Sequence, residues 1–306
     1  MTGISETSFF FKYQRWLVIA PPYGWLLLFF ALPFLIVIKI SLAEPVMGSP
    51  PYTPLFATAL DGSLALAASG TTYALLFGDG LYVLAFLNSV RIAAIATLIA
   101  LIIGYPMALG IVRAGCSWRP GLLLLVILPF WTSFLIRVYA WIGILKPSGL
   151  INNALLALGL VSEPLALLYN DFAVVLGIVY SYLPFMVLPI YAALARQDRS
   201  LLEAAADLGA GPWATFWRVT LPLSLSGVVA GCLLVFIPAV GEFVVPDLLG
   251  GADALMIGKV LWAEFFANRD WPMASAAAIL LVAVLVGPMM ALQRTEREDL
   301  EGGAKP

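Results

Sequence analysis

Of the chain's 306 residues, 62% are hydrophobic and only 11% are charged, against roughly 45–50% and about 25% in an ordinary soluble domain. The balance of 16 Lys+Arg against 18 Asp+Glu, with no histidine, leaves no basic field to gather phosphates and removes the commonest general base and metal ligand. A mean hydropathy of +0.99 sets aside the soluble enzyme, the disordered regulator and the nucleic-acid binder, and makes lipid the main solvent. The two cysteines, Cys116 and Cys232, are too far apart in sequence to suggest a disulfide framework or a zinc site.

A membrane-crossing helix needs about 20 apolar residues. Six stretches qualify, at about 20–42, 85–112, 120–145, 171–195, 222–246 and 273–293, so the chain is expected to be all-α, a six-helix bundle over 20–295 with tails at 1–19 and 296–306. Barrel-type alternation is absent. The first run, about 23 residues, exceeds the 7–15 of a signal-peptide core and reads as an uncleaved span. Cationic residues set the orientation. With the N-terminus inside, the inner segments hold Lys12, Arg15, Arg113, Arg119, Arg196, Arg199, Arg218, Arg294, Arg297 and Lys305, and the outer ones only Lys146, Lys259 and Arg269. Both termini are therefore expected in the cytoplasm. The first outer loop, Ala43 to Leu84, has no cation and carries Glu44, Asp61 and Asp79.

The inner loop 196–221 is too long for a plain connection and reads as two short helices. Leu201, Ala205 and Leu208 form an apolar stripe, and Arg199, Glu203 and Asp207 lie four apart on another face, with Arg199–Glu203 spaced for an ion pair. Gly209 stands where a left-handed terminator belongs, and Pro212 where a second helix starts. Such a segment suits either the lipid surface or a cytoplasmic partner.

Glu203-Ala204-Ala205, then Gly209, Val219 and Leu221-Pro222 resemble the EAA signature of ABC-importer permeases, with Val219 where the family usually has Ile. The resemblance implies that Glu203, Ala204, Ala205, Asp207, Gly209 and Pro222 belong to a coupling segment fitted to an ATPase. Trp131 to Trp141, Gly143 to Lys146, Phe236 to Val244 and Gly258 to Trp271 are similar to the polyamine branch of that family, and most like its putrescine type. Asp247 departs from that likeness, which has Glu there. The resemblance implies a type I importer permease fold, a second non-identical permease subunit, a dimeric ATPase that binds ATP and magnesium, and a periplasmic polyamine-binding protein. This chain itself is expected to hold no cofactor or metal. Gly251, Gly258 and Lys259 do not make a phosphate loop, because Val260 stands where Ser or Thr must hold magnesium.

Ionisable residues inside spans default to function. At 1.5 Å per residue, Arg137 and Glu242 both stand about 24 Å above the inner ends of their spans. Glu242 is therefore either a carboxylate on a cation's path, extended by Asp247, or one half of a structural pair with Arg137 or Arg91. Trp131, Tyr139 and Trp141 offer faces that attract ammonium groups and equally suit packing or interfacial anchoring. Tyr180, Ser181, Tyr182 and Pro184 sit near mid-span, where Pro184 frees a carbonyl. The rival class is a stand-alone secondary transporter or channel, in which the inner loop is only an interfacial helix.

Overall fold

The computed structural model describes residues 5–58, 64–66, 68–252 and 254–302, with the backbone alone for 5–15, 56–58, 64–66, 287–289 and 291–302. Asp61 and Lys305 lie outside the described residues. The protein is mostly helical and forms two compact units, Gly80–Val260 and a second made of Met1–Asp79 with Leu261–Pro306.

In the second unit α1 (Ser5–Leu26) passes through a π turn, Leu27–Ala31, into α2 (Leu32–Ser41). The segment expected as a tail at 1–19 is thus helical from Ser5 onward. The apolar run Trp16–Ser41 is long enough to cross a membrane, and only 6% of its most apolar window is buried, so its side chains face outward to lipid or partner. A two-stranded antiparallel hairpin, β1 (Phe56–Thr58) with β2 (Leu64–Leu66), follows in register Ala57 to Ala65. Then comes α3 (Thr71–Gly78).

The Gly80–Val260 unit is organised on three long helices, α4 (Gly80–Arg113), α8 (Asp171–Ala195) and α11 (Leu221–Val240). Between apolar helices in lipid there is no hydrophobic drive to associate, so close packing of small residues must supply the attraction. Met186 of α8 is approached closely from both sides, and Gly227 of α11 lies closer still to α8, where an added Cβ would stand 2.5 Å from the Ala193 Cβ. A Cβ on Gly104 of α4 would lie 2.9 Å from its Cγ, and one on Gly231 of α11 would lie 2.9 Å from its Sδ and 3.1 Å from its carbonyl oxygen. Tyr105 and Ser224 add a hydrogen bond between α4 and α11, Oη to Oγ, at 2.9 Å.

Two predicted spans are broken. The expected third span is α5 (Arg119–Ile127), a 3-10 turn Leu128–Trp131, an extended pair Thr132-Ser133 and then α6 (Phe134–Leu145). Pro129 has no N–H for an α-helical ladder, and its carbonyl is taken up by the Thr132 hydroxyl at 2.8 Å. The expected fifth span stops at Val240, and the chain turns through Gly241, Glu242 and Phe243 into α12 (Val244–Leu249). Residues of α7 (Leu150–Ala157) complete the α6 side, where buried Asn152 gives and takes hydrogen bonds with Leu165.

The inner loop forms α9 (Arg199–Asp207) and α10 (Pro212–Thr215), the latter running through a π turn, Phe216–Thr220, straight into α11. The second of the two expected short helices is therefore the continuation of the next span, Pro212–Val240. Beyond α12, α13 (Ile257–Trp262), a π turn Ala263–Ala267 and α14 (Trp271–Gly302) end the described chain. Among the described residues five helices are long and apolar enough to span a membrane, with shorter apolar helices at Arg119–Trp131 and Trp271–Val286.

The packing at Met186 makes a stability prediction. Gly231→Val forces two methyls against the Met186 backbone, and the overpacking is expected to cost about 1–3 kcal/mol, seen as a lowered melting temperature in detergent. Gly143→Ala, where a Cβ meets nothing within 4 Å, is expected to leave melting unchanged or slightly raised.

Candidate functional site: a buried carboxylate and an exposed helical knob

Glu242 lies in the turn between α11 and α12 and is 8% exposed. One carboxylate oxygen accepts the N–H of Val244 at 3.0 Å and, more weakly, that of Val245 at 3.5 Å. The other accepts the Tyr182 hydroxyl of α8. No cation is paired with it among the described residues. The turn itself is held from behind. Gly258 packs so closely on it that a Cβ there would stand 2.8 Å from the Glu242 carbonyl carbon. Ser89 and Asn88 of α4 bond the backbone of Ile257 and Leu255 at 2.7 and 2.8 Å.

Neither expected ion pair with Glu242 forms. Arg91 bonds Asp171 at 2.7 Å, with both side chains more than half exposed. Arg137, 9% exposed, lies over the rings of Phe130 and Phe134, its guanidinium carbon 5.2 and 5.6 Å from their centroids, and its Nε and Nη1 have no hydrogen-bond partner. Equal height would bring these groups together only along two straight helices, and both are broken next to these residues. Asp247 does not extend the site. It is exposed and lies 3.7 Å from Lys259 Nζ, which also donates to the Gly251 carbonyl at 2.6 Å.

Of the aromatic candidates, Tyr182 alone reaches the carboxylate. Trp141 packs edge-on against Tyr180 at 5.4 Å, while Trp131 and Tyr139 are 75% and 57% exposed and point away from the core. Phe185, which the sequence reading did not single out, joins the set. Its ring lies 6.2 Å from that of Tyr182 and 5.2 Å from that of Phe130. Its spacing of three from Tyr182 on one helix face was the available signal.

On the inner loop, α9 is built as its sequence suggests. Asp198 caps its start by accepting the Ser200 N–H at 3.0 Å. That backbone bond holds the Asp198 carboxyl below its ordinary value, so the cap is charged at neutral pH and is lost only as pH falls through the lowered value. Gly209 has φ +79. Its N–H bonds the Ala206 carbonyl and that of Ala210 bonds the Ala205 carbonyl, both at 2.9 Å, the paired bonds of a Schellman end. The expected Arg199–Glu203 ion pair is absent among the described residues. Leu208 is 87% exposed and Trp213 75%, with Glu203, Ala204 and Asp207 also exposed. Ala205 is half-buried and Pro222 exposed. An amphipathic helix that leaves its apolar edge uncovered is a surface for something outside this chain.

Broken spanning helices around a buried carboxylate, with a projecting helical knob between two spans, define a membrane transport subunit. The chain belongs to the family of binding-protein-dependent transport system inner membrane components, whose description matches residues 20–294. It is 42% identical over 280 residues to the spermidine/putrescine transport system permease protein PotB of Haemophilus influenzae, covering 90% of this chain and 92% of that protein. To the Escherichia coli K12 protein of the same name it is 41% identical over 275 residues, covering 90% and 94%. These relatives are named for both polyamines, which replaces the narrower putrescine-type likeness expected from the sequence. A bacterial alginate ABC transporter solved with its periplasmic protein shares the fold, with a TM-score of 0.71 at 17% identity over 97% of this chain and 98% of that one. The MetNI methionine transporter matches at 0.54 and 19% over 71% and 95%. The fold is that of type I ABC importer permeases.

The end of α9 gives a sharp test of the knob. Gly209→Asp places a side chain at positive φ, costing about 1–2 kcal/mol, and adds negative charge at the negative end of a helix. Uptake by the variant is expected to fall below detection and the ATPase to co-purify poorly, with normal amounts in the membrane. Full transport with intact ATPase association would remove the docking role.

Proposed function

We propose that this chain is one of two non-identical permease subunits of an ATP-driven importer for a polyamine, and that it works with both termini cytoplasmic. The observation that carries the substrate class is Glu242. A buried carboxylate with no counter-cation among the described residues is costly in a membrane protein unless a cation visits it. Tyr182 holds one of its oxygens and Phe185 adds a ring nearby. An organic ammonium fits such a setting, because a carboxylate supplies charge and aromatic faces supply a quadrupole, the latter worth about 0.5–2 kcal/mol per contact. The similarity to spermidine/putrescine permeases supports the same class.

In this reading a periplasmic binding protein delivers the polyamine, and putrescine is the first candidate, with spermidine as its alternative. A dimeric ATPase binds ATP and magnesium and receives the α9 knob. Its closure moves α9 and, through the continuous Pro212–Val240 helix, shifts α11 and the Glu242 turn, so that access alternates between the two sides.

Two measurements test this. In lipid nanodiscs, the co-purified complex is expected to hydrolyse ATP faster with binding protein preloaded with putrescine or spermidine than with empty protein. An associated ATPase indifferent to both would discard the polyamine, and no associated ATPase would discard the importer. Glu242→Gln removes the charge and keeps the shape. It is expected to slow uptake about 10- to 100-fold, the loss of a charged hydrogen bond worth about 1.5–3 kcal/mol, while basal ATP hydrolysis persists. Unchanged uptake would leave Glu242 a purely structural residue.

A further inference from the structure

The hairpin of α4 and α5 carries an open apolar groove apart from the Glu242 turn. On α4, Pro106, Gly110 and Arg113 are spaced four and three apart, one stripe of a helix. On α5, Arg119, Leu122 and Val126 are spaced three and four, again one stripe. Five residues, Ala114 to Trp118, join the two helices. Between them runs an open groove of about 410 Å³, lined by Pro106, Gly110, Leu122 and Val126 together with Met107 and Leu125. The last two are 37% and 63% exposed, and the groove's lining comes from α4 and α5 alone among the described residues.

Both stripes end in an arginine at the same, loop-bearing end. There Arg113 and Arg119 line a cleft of about 390 Å³ together with Arg199, against the single carboxylate of Glu203. Arg119 is fixed in place, its Nε and Nη2 donating to the carbonyls of Ala114 at 3.0 Å and Val112 at 2.6 Å. Arg113 is exposed and has no hydrogen bond or ion pair among the described residues. Trp118, 72% exposed in the same turn, is the aromatic type found at headgroup level.

We infer that this groove binds one acidic phospholipid of the cytoplasmic leaflet. Its phosphate sits between Arg113 and Arg119, and an acyl chain lies along the Pro106–Gly110 and Leu122–Val126 faces. Charge complementarity selects the occupant. Arg113 and Arg119, at the ends of the two stripes, favour a lipid with net negative charge over a zwitterionic one, and the groove along those stripes is apolar, as a hydrocarbon chain requires. The site rests on the proposed orientation and is independent of which solute is transported.

Native mass spectrometry of the intact complex, titrated with phosphatidylglycerol or phosphatidylcholine, tests the assignment. The unaltered complex is expected to retain phosphatidylglycerol in preference. Arg113→Gln is expected to weaken that retention about tenfold and leave phosphatidylcholine unaffected. Gly110→Phe, at a glycine whose Cβ meets nothing within 4 Å, fills the groove while keeping both arginines and is expected to lower binding of both lipids. Arg269→Gln, remote in sequence and outside the groove, is expected to change neither. Equal retention of the two lipids by the unaltered complex would overturn the site, as would undiminished binding in Gly110→Phe. Loss of a partner subunit in Gly110→Phe with lipid binding intact would assign the groove to that partner and overturn the site as well.

Discussion

Hydrocarbon offers backbone groups no water, so every N–H and C=O inside it must find a partner in the protein. This constraint governs where the chain can depart from a helix. The breaks at Leu128–Ser133 and Gly241–Phe243 are tolerable because local groups take up the freed backbone. The Thr132 hydroxyl takes the Pro129 carbonyl, and the Glu242 carboxylate takes the Val244 and Val245 N–H groups. The carboxylate at the second break thus has a structural task before any functional one: it satisfies the start of α12.

Around these breaks the three long helices must be held without a hydrophobic force between them. Glycines at 104 and 231 bring α4 and α11 onto Met186 of α8, and a Tyr105–Ser224 hydrogen bond joins the outer two. Such bonds within membranes contribute only about 0.6 kcal/mol on average, so the close approach carries most of the cohesion. Small residues here do what large apolar ones do in a soluble core.

The exposed surfaces divide by chemistry. Wholly apolar exposure, as along Trp16–Ser41, suits lipid tails or another membrane subunit. The α9 knob mixes exposed Leu208 and Trp213 with Glu203 and Asp207, a pattern for a protein partner in water. The α4–α5 groove is an open apolar channel whose two lining stripes each run on to an arginine, a pattern for an amphiphile. Uncovered area alone would not distinguish the three.

Composition and spacing by themselves determined the membrane class, the approximate spans, and the α9 knob with its cap and glycine terminator. Each of these depends on residues near one another along the chain, where hydropathy, capping and positive φ act locally. The family was legible for the same reason, since the EAA spacing lies within one such segment. What only the tertiary structure decided is which charges and rings meet. Straight-helix arithmetic set Glu242 beside Arg137, whereas Arg137 stacks on Phe130 and Phe134, Arg91 takes Asp171, Asp247 takes Lys259, and Glu242 is left with Tyr182. The reason is geometric. A broken helix redirects every side chain beyond the break, and the depth of a residue in the sequence no longer measures its place in the fold.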